Sequence, residues 1–205
     1  MTEHIRRALL DAKKALDDLI GDEKKLQVIA GAADMMTEAL RNKGRIFSCG
    51  NGGSMCDAMH LAEELSGRFR KDRPALAATA ISDPSHMSCV ANDYGYDQVF
   101  SRYVQAHGRA GDVLVAISTS GASPSVIVAA TAAASLGMRV VALTGKPGSL
   151  LEGKADLCIC APGGPFADRT QELHIKIIHI LIEQIERNLY PEIYADCQAR
   201  SSMNA

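Results

Sequence analysis

A histidine and a glutamate four residues apart, His60 and Glu64, stand in the segment MCDAMHLAEELSG, which has the composition of a helix. At that spacing both side chains share one helix face, where an imidazole nitrogen and a carboxylate can reach one metal ion or one substrate. Just upstream the chain reads CGNGGS. Gly50, Asn51, Gly52 and Gly53 permit positive φ and Ser54 is a suitable N-cap, so Arg45 to Gly67 reads as strand, glycine turn, helix. A helix beginning there offers free backbone N–H groups and the positive end of its dipole to an anion. Acid/base and anion-binding groups therefore lie within one short stretch. Two familiar glycine motifs are excluded. A dinucleotide fingerprint would need glycine at Met55, and a nucleotide P-loop would need a Gly-Lys-Ser/Thr that the turn lacks.

A second polar group follows an apolar strand at Val113 to Ile117. Ser118, Thr119, Ser120 and Ser123 surround Gly121 ahead of a helix starting at about Pro124. Hydroxyls and amides gathered where a strand ends and a helix begins make a phosphate cradle without a lysine. A plain N-cap with spare hydroxyls is the competing explanation, weakened by four such groups in six residues. A third group lies on one long apolar helix that runs to about Tyr190 and is stopped by Pro191: Gln171, His174 and His179, among Leu173, Ile177, Ile178, Leu181, Ile182 and Ile185. Burying two histidines and a glutamine needs a reason, and a hydrogen-bonded core histidine is the usual one.

Further strands are expected from Ala75 to Ser82, Arg139 to Leu143 and Leu157 to Ala161, with helical segments between them. That alternation predicts an α/β three-layer sandwich: a five-stranded parallel sheet, Rossmann-type and flavodoxin-like, with helices on both faces and ligands at the strands' C-terminal ends. Residues 1–43 carry apolar positions at three- and four-residue spacing and read as two helices broken near Gly21, a helical N-terminal extension that either covers the sheet or pairs with another subunit. One domain over residues 1–205 is expected, with a core at 44–190 and a tail at 191–205 whose final residues, after Asp196, read as disordered. Between the second helical region and the cradle, Asn92-Asp93 reads as an exposed junction before Gly95, and composition alone gives it no function. Arg68, the first charge after Glu64, is placed to meet a phosphate or to orient Glu64, or else is a surface arginine.

The composition, 47% hydrophobic and 22% charged in 205 residues with a net charge of -2, suits a globular chain and argues against a nucleic-acid partner. The N-terminal stretch lacks a signal-peptide pattern and no apolar run approaches a membrane span, so a cytoplasmic protein without a membrane partner is expected. Six cysteines fit a reducing compartment. Cys49, Cys89, Cys158 and Cys160 lie in apolar surroundings and read as small hydrophobes, and Cys56 is a weak nucleophile candidate more simply explained as a buried helix cysteine.

Taken together, CGNGGSMCDAMHLAEEL, CVANDYGY, ISTSGAS, VVALTGK and ADRTQELHIKIIHILIE resemble the sugar-isomerase (SIS) domain family, and within it the phosphoheptose isomerases, collinearly over roughly residues 1 to 190. The resemblance implies a five-stranded α/β sandwich, a homotetramer with active sites at subunit interfaces, and isomerisation of sedoheptulose 7-phosphate to D-glycero-D-manno-heptose 7-phosphate for the heptose of lipopolysaccharide cores or surface glycans. It carries sugar and phosphate binding onto Asn51, Gly52, Gly53, Asn92, Asp93, Ser118, Thr119, Ser120 and Ser123. It carries zinc binding, one ion per subunit, onto His60, Glu64, Gln171 and His179, with Glu64 and Gln171 also facing the substrate, and the catalytic base and acid onto Glu64 and His179. Met55 and Ala122 depart from the family pattern, which often has His and Asn there. Gln171 and His179 are eight residues apart, about 12 Å along a helix, so both reach one ion only by leaning together or from two chains. His174 is the local competitor. The alternative function is a non-catalytic relative that binds a phosphosugar or a protein partner, of the kind that regulates replication initiation. Such relatives lack the acid/base pair, which is present here.

Overall fold

The computed structural model describes residues 2–195; residues 196–205, on which the expected disordered tail falls, lie outside the described residues. Two helices come first, α1 (Thr2–Ile20) and α2 (Glu23–Arg41), the second capped by the Asp22 carboxylate, which accepts from the Lys25 amide. Then follow β1 (Ile46–Gly50), α3 (Gly53–Ser66), β2 (Ala78–Ala80), α4 (Pro84–Tyr94), α5 (Val99–His107), β3 (Val113–Ser118), α6 (Pro124–Ser135), β4 (Arg139–Thr144), β5 (Leu157–Cys160) and α7 (Ala167–Leu189). All strands are parallel and run in the order β2-β1-β3-β4-β5. Reversal of strand order between β1 and β3 is the topological switch point of a flavodoxin-like sheet, where the loops after two neighbouring strands diverge and leave a crevice.

The strands' two-residue period divides the core between the sheet's faces. Ile46, Val113, Val115, Ile117, Val141 and Leu143 point to one face and pack with residues of α2, α3 and α7, including Met36, Leu61, Ile177 and Leu181. Phe47, Cys49, Leu114, Ala116, Val140 and Ala142 point to the other and pack with residues of α4, α5 and α6, including Val90, Phe100 and Ala129. Burial pushes the Cys49 thiol up to about 12, as expected of a structural cysteine. Cys56 and Cys89 correct the expectation of burial, since both are exposed on their helices.

The second strand is shorter than the expected Ala75 to Ser82. Leu76 donates its amide to Leu65 O at the end of α3, so the residues after Pro74 belong to the helix–strand connection and only Ala78–Ala80 pair with β1. As an edge strand, β2 has one partner and needs little length. α7 runs to Leu189 and gives way at Pro191 to a short 3-10 turn ending at Tyr194. Here α2 packs on α7 and the sheet, whereas α1 leaves Ile5 59% and Leu9 67% exposed beside Leu10 and Ile20. No described helix is long and apolar enough to cross a membrane.

Candidate active site

The glycine turn and the hydroxyl loop meet at the switch point because β1 and β3 are hydrogen-bonded neighbours, Gly50 opposite Ile117. Asn51 ties them together: its Nδ2 donates to Ser125 Oγ at 3.0 Å in the first turn of α6, while the Tyr96 hydroxyl donates to its Oδ1 at 2.9 Å. The N-cap of α3 is Gly52 at φ +56°, not Ser54, which is buried one turn position further on. The amides of Ser54, Met55 and Cys56 are bound to the carbonyls of Asn51 and Gly52. That narrows the expectation of free helix-start amides to Gly52 and Gly53. The Gln171 carboxamide lies against Gly53, its Nε2 2.5 Å from where a Cβ would stand, so a side chain there would displace it.

In the hydroxyl loop the Ser118 Oγ lies 3.0 Å from Ser123 Oγ and 3.4 Å from Ser120 Oγ, and the Ala122 amide donates to Ser120 Oγ at 3.2 Å. Gly121, at φ +60°, turns the chain so that its amide donates back to Ser118 O at 3.0 Å. Ser123 precedes Pro124 at the start of α6 without using its hydroxyl as a cap. The loop therefore holds three serine hydroxyls that satisfy one another and can turn to an anion. Beside it, Thr119, Ser120 and Lys146 line one cavity of about 180 Å³, so a cation stands nearer the cradle than its sequence suggested. Asn92 and Asp93 are exposed in the last turn of α4, the Asn92 amide donating to Asp93 Oδ1 at 2.7 Å.

A histidine–carboxylate group is built from α3 and α7. His60 Nε2 lies 2.9 Å from His179 Nε2 and 3.5 Å from Glu64 Oε1, so the i,i+4 pair on α3 meets a histidine 119 residues away. His60, Glu64 and His179 each offer a ligand atom within 4.8 Å of the others. Two ring nitrogens facing at this distance form a hydrogen bond in which one donates and the other accepts. Two imidazoles and a carboxylate are also a donor set suited to a divalent metal with an open position. Phe69 stacks on the His179 ring at 5.7 Å between centroids. Burial first, then His60, Arg70 and Lys176, lower the His179 pKa against the opposing pull of Glu64, which favours the neutral imidazole that metal ligation requires.

Gln171 lies elsewhere on the same crevice. The carboxamide of Gln171 lies against Gly53 and the ring of His179 against His60, seven residues further along α3. His174 is set apart more sharply. It is fully buried, its Nε2 lies 3.2 Å from Thr144 O, and its Nδ1 has no partner among the described residues. It is a core histidine at the end of β4.

A model of the SIS domain matches residues 11–145. The phosphoheptose isomerase of Aeromonas hydrophila is 54% identical over 187 residues, covering 91% of this chain and 97% of that one. That of Cytophaga hutchinsonii is 59% identical over 181 residues, with 88% and 95% covered. The chain belongs to the phosphoheptose isomerase family of SIS-domain proteins. Two solved structures of that family share its fold: the Francisella tularensis enzyme superimposes with a TM-score of 0.85 at 32% identity, covering 91% of this chain and 98% of that one. The Neisseria gonorrhoeae enzyme gives 0.78 at 40% identity, covering 90% and 96%.

Several site contacts escape a reading of the sequence of this family member. Phe69, Tyr96 and Lys146 sit in connections whose composition signals only a surface. The arginine that touches Glu64 is Arg73 and not Arg68, which is exposed: Arg73 Nη2 donates to Glu64 O at 2.7 Å. Arg73 is paired with Glu186 of α7, Nε to Oε1 at 2.9 Å, with both side chains fully buried. Met55, one of the two departures from the family pattern, packs against the core on the α4–α6 face.

His174 supplies a prediction about stability. Burial lowers its pKa to about 4 from an ordinary 6.5, so between those values the unfolded chain takes up a proton that the folded chain refuses. Stability contributed by the neutral ring is present above pH 6.5 and lost as the pH falls towards 4, by about 3 kcal/mol in full. Asp57, buried with Oδ2 unpartnered among the described residues, has its carboxyl pushed up to about 6 by burial against the opposing pull of His60, and so acts in the opposite sense over an overlapping range. The expected result is therefore a difference of slopes: urea unfolding of wild-type chain loses more stability between pH 7 and pH 4.5 than His174→Asn does. Parallel slopes would mean that His174 titrates normally.

Proposed function

We propose that this chain is a phosphoheptose isomerase that converts sedoheptulose 7-phosphate to D-glycero-D-manno-heptose 7-phosphate by proton transfer through an enediol. The observation that carries this reading is the meeting of His60 and Glu64 from α3 with His179 from α7 beside the polar switch-point crevice. The kinship with proteins named phosphoheptose isomerase, 54% and 59% identical over nearly all of their length, supports the same substrate. The replication-regulator alternative is not favoured, since its kind lacks the acid/base pair.

The hydroxyls of Ser118, Thr119, Ser120 and Ser123 hold the phosphate, and Asn51, Gly52, Gly53, Asn92, Asp93 and Gln171 hold the sugar. Moving a carbonyl between C1 and C2 requires removal of a carbon-bound proton at one and its return at the other. Glu64 is the base for that transfer, and His179, with its lowered pKa, exchanges a proton with the two oxygens. His60, Glu64 and His179 would hold one Zn²⁺ per subunit, with Gln171 joining them if its carboxamide turns from Gly53 towards His60, and His179 would then exchange its proton through the ring nitrogen that does not face His60. When bound, the ion supplies Lewis-acid polarisation of the sugar oxygens. Glu64 keeps one carboxylate oxygen for its work as base.

The chain forms one SIS domain and assembles as a cytoplasmic homotetramer with its sites at subunit interfaces. The exposed apolar stripe of α1, with Ile5, Leu9, Leu10 and Ile20, supports burial against another copy. The test of the function is incubation of purified protein with sedoheptulose 7-phosphate and identification of the product: formation of the heptose aldose 7-phosphate is expected. Failure to convert it, alongside isomerisation of another ketose phosphate, would reassign the substrate. The cradle has its own signature. Ser120→Ala removes one hydroxyl that binds phosphate in ground and transition states alike, so KM should rise about tenfold with kcat nearly unchanged. An unaltered KM would remove Ser120 from the site.

A further inference from the structure

The ten residues after Gly67, 68–77, cross from α3 to β2, and three of them contact α7 in succession. Phe69 stacks on His179, Arg70 Nη1 pairs with Glu183 at 2.7 Å, and Arg73 Nε pairs with Glu186 at 2.9 Å. Positions 179, 183 and 186 are one turn apart on one face of α7. At its other end the Arg73 guanidinium gathers the last carbonyls of α3: Nη2 donates to Glu64 O at 2.7 Å, and Nη1 to Leu65 O at 2.8 Å and Gly67 O at 3.0 Å. A helix ends with carbonyls that have no intrahelical donor, and a cation there also meets the negative end of the dipole. The second oxygen of Glu186 is filled by the Tyr194 hydroxyl at 2.6 Å, which lies in the turn after α7. All three guanidinium nitrogens of Arg73 and both carboxylate oxygens of Glu186 thus have partners, and the unit joins the backbone of Glu64 to the helix that carries His179.

We propose that Arg73, held by Glu186 and Tyr194, is a positioning residue that sets the placement of Glu64 and His60 against His179. The Arg73 side chain is fully buried and acts through the Glu64 backbone. Only a planar fork serves both ends, because a lysine ammonium is one point and cannot reach Glu186 and three carbonyls together. The inference rests on the isomerase reading for its catalytic consequence, but the placement can also be read with Zn²⁺ alone, since groups that orient metal ligands typically change affinity by about 10–100-fold.

The experiment compares wild-type chain with Arg73→Lys and with the double variant Arg73→Met/Glu186→Leu, which removes the pair without leaving a buried charge alone. Thermal melting checks folding, steady-state kinetics with sedoheptulose 7-phosphate separate kcat from KM, and titration with Zn²⁺ reads the ligand group. Misplacement of about 1 Å costs on the order of 100-fold in rate, so kcat should fall in the order wild type, Arg73→Lys, double variant, the last by about 100-fold. KM should stay within a few-fold, since the cradle lies on β3 and α6, and the Zn²⁺ dissociation constant should rise about tenfold or more. A folded double variant with wild-type kcat and wild-type Zn²⁺ affinity would make the unit merely structural, as would a change confined to melting temperature. If the double variant does not fold, the same readings on Arg73→Lys decide. A wild-type chain that leaves sedoheptulose 7-phosphate unchanged instead overturns the functional reading, which separates the two failures.

Discussion

Glu64→Gln should lower kcat by about 10²- to 10⁴-fold, the contribution of a positioned general base. The substitution keeps the size of the side chain and an oxygen to face His60, 3.5 Å away in the wild-type chain, but the amide cannot accept a proton from carbon. Substrate affinity should change by no more than a few-fold, because the hydroxyls around Ser118 are untouched. An isomerisation run in D₂O separates this role from others. A base that removes and returns the proton exchanges part of it with solvent, so wild-type product should carry deuterium at C2, and Glu64→Gln should abolish turnover and label together. Rapid isomerisation by the variant, or wild-type product without label, would exclude Glu64 as the base.

Loss of His60 should have the second large effect. His60 is central to the group: its Nε2 faces both His179 Nε2 and Glu64 Oε1, so His60→Ala leaves two donors on two different helices. Zinc affinity should fall by more than about 100-fold, beyond the range found for groups that only orient ligands. Protein purified from zinc-containing medium should then contain close to one ion per wild-type chain and almost none per variant chain, by elemental analysis. Activity should decline with metal content, both in the variant and in chelated wild-type enzyme, and return to the latter on adding Zn²⁺. Full turnover by wild-type protein shown to be free of metal would make the ion incidental.

The parts of the molecule that were legible in sequence were those fixed by local periodicity. GNGGS and STSGAS lie at strand ends because each follows an apolar run, and His60 and Glu64 share a face because a helix turns 100° per residue. The choice between His174 and His179 was not local. The two differ by five residues, which turns them about 140° apart around α7, and only packing shows that the first faces β4 and the second α3. RFRKDRP was unreadable for a related reason. Its charges look solvated until Glu183 and Glu186, more than a hundred residues later, are brought against them. Ser54 illustrates competition between two good local signals, as a serine N-cap lost to a glycine whose positive φ the turn required.

The 119 residues between His60 and His179 also order events during synthesis. Ribosomes add about 5–20 residues per second, so the first two donors precede the third by roughly 6 to 24 seconds. In that interval a nascent chain can pair β1 with β3 and close the hydroxyl loop, yet it offers an ion only His60 and Glu64 on one helix. The group acquires its third member, and Arg73 its counter-charge, when α7 emerges and docks. Assembly of the three-residue group is therefore a late step of folding that waits on the last helix, and a chain stalled before Ala167 would hold the hydroxyl loop and the His60–Glu64 pair without His179.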